Sequence, residues 1–100
     1  MELLVRAEPD KLALVDTYAH MLLWAGRDAA AEPHFARVEA ATIRPSGRSS
    51  SACGLAMVHA RRGDFASARR WLSRAREHDP NNVLLTRTAT LVEPPGVERP

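Results

Sequence analysis

Four histidines, one cysteine and twelve carboxylates are the groups in this 100-residue chain that could bind a metal or move a proton. His20, His34, His59 and His78 have no carboxylate or thiol partners at metal-ligand spacing, and Cys53 with Met57 on one helix face is too small a donor set for a metal site. The chain also lacks a glycine-rich phosphate loop, a nucleophile elbow and paired catalytic carboxylates. The expectation is a protein without enzymatic activity, cofactor or bound metal.

Charge offers a second kind of chemistry. From Arg44 to Arg76 the chain carries Arg44, Arg48, Arg61, Arg62, Arg69, Arg70, Arg74 and Arg76 against the lone acid Asp64, although the whole chain is only +2. An arginine cluster such as Arg69, Arg70, Arg74 and Arg76 could neutralise phosphates. On that stripe Glu77 and Asp64 interrupt the charge, and no aromatic is interleaved for base stacking, so nucleic acid is the less favoured partner.

These groups must be positioned by a soluble, folded chain, because 45% hydrophobic with 26% charged residues is a globular balance. Aromatics are few, so the core must come from Leu, Val, Ala and Met, with Tyr18, Trp24, Phe35, Phe65 and Trp71 as the bulky pieces. The single Cys53 excludes an internal disulfide and suits a reducing compartment. No secretory leader and no membrane-spanning apolar run is legible, so a cytoplasmic location is expected.

Apolar periodicity then lays out five helices and no strand. Asp10 stands as an N-cap before a run through Leu12, Val15, Tyr18, Ala19, Leu22 and Leu23 that Gly26 stops. Ala31, Phe35, Val38 and Ala41 or Thr42 recur at three and four until Arg44-Pro45-Ser46-Gly47 ends the second helix; Pro33 inside it removes a backbone hydrogen bond unless the helix starts near Glu32. Ser49, Ser50 and Ser51 offer caps for a third helix closed by Gly63, and Asp64 caps a strongly amphipathic fourth with Ala68, Trp71, Leu72 and Ala75 on one arc. Asn82 caps a short fifth, Val83 to about Leu91, and 93–100 reads as a disordered tail.

The two helix pairs repeat each other. Gly26 and Gly63 are each followed five residues later by an alanine, Ala31 and Ala68, and four further on by a large apolar residue, Phe35 and Leu72. The glycines lie 37 apart, near the period of about 34 residues for tetratricopeptide units. Ala52, Leu55, Ala56, His59, Gly63-Asp64-Phe65, Ala68, Leu72, Ala75 and Asp79-Pro80-Asn81-Asn82 resemble one such repeat with unbroken spacing. Val15, Tyr18, Ala19, Leu22, Gly26, Ala31, Phe35 and Val38 are similar to another whose closing Pro45 comes about two residues late.

This resemblance implies an all-α fold of antiparallel helix-turn-helix repeats, a right-handed α-solenoid occupying residues 1–92, with repeats at about 12–46 and 49–82 flanked by half-repeats. It also implies a concave groove for a partner protein or peptide, lined here by Asp16, Thr17, His20 and Trp24 from one repeat and by Cys53, Met57 and Arg61 from the next, with Ala13, Ser50, Gly54 and Thr88 beside them. The Lys, Asn and Arg clamp of the chaperone-binding subclass is missing, since the matching positions hold Asp16, His20, Gly54, Leu84 and Thr88. A groove centred on Asp16 and His20 suits a basic peptide instead.

Three functional readings follow: an adaptor binding a partner segment in that groove, a module binding polyanions through Arg69, Arg70, Arg74 and Arg76, or a non-autonomous segment of a larger repeat protein. The half-repeats motivate the third, and they expose Leu3, Leu4, Leu84, Leu85 and Leu91 for self-capping or self-association.

Overall fold

The computed structural model describes residues 12–42 and 44–93, which form five helices: α1 Leu12–Trp24, α2 Asp28–Ala41, α3 Pro45–Arg61, α4 Phe65–His78 and α5 Leu84–Val92. No strand occurs among the described residues. The cap expected at Asp10, Leu3 and Leu4, and most of the expected tail lie outside them.

Each helix packs on the next through a connection of three to five residues, too short for anything but a reversal of direction. Two of these turns depend on glycine. Gly26 and Gly63 adopt φ of 81° and 84°, the left-handed region where a Cβ is penalised. Their amides bond back to the carbonyls of Leu23 and Ala60, closing the ends of α1 and α3. After the second turn the Asp64 carboxylate accepts the Ser67 amide at 3.1 Å, a cap for α4. Hydrogen bonding from Ser67, its hydroxyl first and its amide second, holds the Asp64 carboxyl below the usual carboxylate range.

Helix α3 is the axis of the molecule, since it packs against all four of the others. Its run from Ser51 to Val58 is wholly buried, as expected for a helix with neighbours on every side. Small residues permit that crowding: Ala52 and Ala56 on α3, Ala31 on α2, and Ala68 and Ala75 on α4 are all fully buried. Phe35 of α2 is the one large ring in the centre, and it lies so close over Gly54 that a Cβ there would overlap the ring.

The start of α3 departs from the sequence expectation. The helix begins at Pro45, with proline in its first turn, rather than after a serine cap. Ser49 and Ser51 are fully buried inside it. Ser51 Oγ donates to the Gly47 carbonyl one turn back, whereas Ser49 Oγ donates to the Ala75 carbonyl of α4 at 2.8 Å. Asn82 completes this joint, donating from Nδ2 to Ser49 Oγ at 2.9 Å and accepting the Leu84 amide on Oδ1, so the expected cap of α5 is also a tether to α3.

Helix α2 runs through Pro33 from Asp28 rather than starting near Glu32. The ring costs the bond to the Ala29 carbonyl, and Ala29 and Pro33 both face solvent, where water can replace it. Farther along, Glu39 of α2 is buried and accepts from Arg74 Nη2 of α4 at 2.9 Å, with His78 Nε2 at 3.4 Å from the same oxygen.

Candidate functional site

The residues expected to line a groove lie on α1 and α3, and the structure sorts them into two groups. At one end Asp16, His20 and Ser50 join α1 to α3. Ser50 Oγ donates to Asp16 Oδ2 at 2.5 Å, and His20 Nε2 lies 3.3 Å from the same hydroxyl and 3.7 Å from Asp16 Oδ1. Because Ser50 gives its only proton to Asp16, the proton shared with His20 sits on Nε2. His20 Nδ1 is then a bare acceptor, buried without a partner.

This is not a charge-relay arrangement. A catalytic histidine takes the hydroxyl proton on one nitrogen and binds its carboxylate through the other. Here both contacts fall on Nε2 and the hydroxyl points to the acid. Burial pushes the His20 imidazole below its ordinary value of 6.5, outweighing the pull of Asp16, because a protonated Nδ1 would be a donor with nothing to bond. Burial likewise raises the Asp16 carboxyl, against the Ser50 bond and the charge of His20. The His20 ring packs edge-on to Phe35 at 4.7 Å, so the cluster rests on the core.

Cys53 and Met57 also turn inward, at 0% and 2% exposure. Helix α5 lies against α3 here, with Thr88 buried and its hydroxyl donating to the Leu84 carbonyl at 2.8 Å, and burial suppresses ionisation of the Cys53 thiol. Cys53 is closed off from the surface that the sequence suggested, and Met57 reaches it only at the floor of the cavity beside Trp24. Thr17 is exposed, but its hydroxyl donates to the Ala13 carbonyl of its own helix at 3.1 Å.

The other end is different in kind. Trp24 is 55% exposed at the end of α1, and with Met57, Arg61, Arg87 and Leu91 it lines a cavity of about 420 Å³ to which α1, α3 and α5 all contribute. The Arg87 guanidinium stands 6.0 Å over the Trp24 ring, reaching across from α5 to α1. Arg61 is fixed by one nitrogen, Nη1, which donates to the Leu23 carbonyl and to Asp28 Oδ1, both at 2.7 Å. The first bond satisfies a carbonyl in the last turn of α1. The second ties α3 to the start of α2.

Arg87 and Leu91 were not among the residues expected here. No local signal marks them, since Trp24 and Arg87 are 63 positions apart and meet only because α1 and α5 flank α3. A further cavity of about 680 Å³ lies between α1, α2 and the start of α3, where Leu12, Val38, Thr42, Gly47, Asp16 and Ser50 are among its walls.

The arginine face of α4 is partly committed to structure. Arg74 bonds Glu39 and stacks 4.9 Å over Trp71, while Arg70 donates to Ser67. Trp71 borders the same concavity as Arg69, Arg70 and Arg74, which corrects the expectation that no aromatic accompanies the stripe. Among the described residues no group of three or more His, Cys, Asp or Glu side chains could hold a metal ion, and no helix is long and apolar enough to cross a membrane. No protein-family model, curated protein or solved structure matches the chain.

Proposed function

We propose that the chain is a protein-interaction module of tetratricopeptide type, holding a segment of a partner protein against the face shared by α1, α3 and α5. The observation that carries this reading is Trp24. A large aromatic kept 55% exposed beside the apolar side chains of Met57 and Leu91 costs solubility, and of the buried side chains it stacks on His20 alone, at 5.6 Å. Such residues are the usual anchors of interfaces. Support for the family reading comes from helices that pack in sequence, glycine turns at Gly26 and Gly63, and an alanine-lined centre.

The experiment is an affinity capture from native lysate at low and moderate salt, with wild type beside Trp24→Ala and circular dichroism confirming equal helicity. A protein held at both salts and lost on Trp24→Ala is the expected result. Capture that ignores Trp24 would sink the proposal.

A second reading has one observation in its favour: Trp71 lies beneath Arg74 and beside Arg69 and Arg70, so a polyanion with stacking bases would find both charge and ring. It predicts capture of nucleic acid that collapses between the two salt concentrations. The engagement of Arg74 by Glu39 weighs against it.

A further inference from the structure

The two ends of the proposed binding face differ in charge, and that difference selects a ligand. At the Asp16 end one carboxylate oxygen accepts the Ser50 proton and the other is buried beside His20, so the acid expected to attract a basic peptide is not presented to solvent. At the Trp24 end the cavity walls are Trp24, Met57, Leu91 and two guanidiniums, with no carboxylate among them.

Arg61 and Arg87 are not equivalent there. Arg61 is held in an ion pair with Asp28, which neutralises much of its charge and fixes its position. Arg87 is exposed, and among the described residues no carboxylate stands within ion-pair distance of it. Its guanidinium stands 6.0 Å over the Trp24 ring, a contact that leaves its hydrogen-bond donors unsatisfied. A guanidinium held against an aromatic ring beside an apolar floor is the arrangement that receives a carboxylate with an apolar neighbour.

We propose that the Trp24–Arg87 shelf binds an acidic segment of a partner protein, taking a Glu or Asp carboxylate on Arg87 while the adjacent apolar side chain settles against Met57, Leu91 and the Trp24 face. This rests on the interaction reading above and adds the sign and composition of the partner segment.

The test uses the full-length chain labelled with ¹⁵N and two synthetic dodecapeptides, three repeats of Ser-Glu-Leu-Gly and the same peptide with Lys in place of Glu. Trp24 and Trp71 give separate indole N–H signals, assigned with Trp24→Phe. The expected result is that the Glu peptide moves the Trp24 indole signal and leaves that of Trp71 in place, that the Lys peptide moves neither, and that Arg87→Glu weakens the Glu peptide at least tenfold. Because Arg87 is exposed, that variant should melt with the wild type, which a thermal scan verifies.

Equal response to both peptides, or an Arg87→Glu variant that binds as before, overturns the proposal. A Trp24 signal moved by the Lys peptide alone overturns the charge assignment while the interaction face survives. If neither peptide moves it, the acidic assignment fails and the interaction reading is judged separately by the Trp24→Ala capture. A Trp24 signal that shifts on diluting the protein alone assigns the shelf to a second copy of the chain instead.

Discussion

The same two helices, α1 and α3, join buried polar groups at one end of their shared face and carry an exposed aromatic at the other. Asp16, Ser50 and His20 look like a site by residue type, yet their bonds run to one another and to Phe35 beneath. Trp24 is one of the groove residues the sequence offers and Arg87 is not, and the two stand in solvent over a shared cavity. Residue type alone does not separate the two ends; what separates them is where each group's partners lie. The bonds from Ser50 to Asp16 and His20 join α1 to α3, although Asp16 Oδ1 and His20 Nδ1 stay buried without partners.

The strongest way to break that contrast is to remove its common support. Phe35→Ala should cost about 3–5 kcal/mol, because it leaves a cavity beside Gly54 and His20 in the main core cluster, and chemical denaturation should show both ends lost in one transition. Gly54→Ala attacks the same contact from the other side and should cost about 1–3 kcal/mol through overpacking, partly relieved by adding Phe35→Leu.

Trp24→Ala should separate the ends, with a partner bound about 30-fold more weakly, roughly 2 kcal/mol, and little change in melting temperature. Asp16→Ala is its mirror image: a loss of about 1–2 kcal/mol in stability, since Ser50 and His20 lose their acceptor, with capture of the partner intact. If Asp16→Ala abolished capture while leaving stability untouched, the assignment of the two ends would be reversed.

The smallest effect is on pH dependence. His20 is held below its ordinary 6.5 in the folded state, so between the folded and unfolded values the unfolded chain binds more protons. Its contribution is complete above about pH 6.5 and is lost as pH falls below that. Melting temperatures at pH 7.5 and 5.5 should fall further for wild type than for His20→Asn.

What was legible in the sequence is what is decided locally. Gly26, Gly63 and the Asp64 cap act within one turn of themselves, and Ala68, Leu72 and Ala75 mark the buried side of α4 through helical spacing alone. Ser49 and Ser51 were misread because hydroxyls near a helix start usually cap it, whereas here Pro45 opens the helix and Ser49 serves α4 and Asn82 across the fold. Cys53 and Met57 share the helix face expected of them but are buried, because α5 packs on α3, a tertiary contact that no spacing rule provides. Arg87 went unnoticed for the same reason.

The central position of α3 has a consequence for how the molecule opens. A helix that serves as second wall for α1 and α2 and as first wall for α4 and α5 belongs to both helical hairpins at once. Neither hairpin can detach without stripping it, so the protein behaves as one cooperative unit rather than as beads on a string. In hydrogen exchange the amides from Ser51 to Val58 should be the last to take up deuterium, at a rate that reports unfolding of the whole chain.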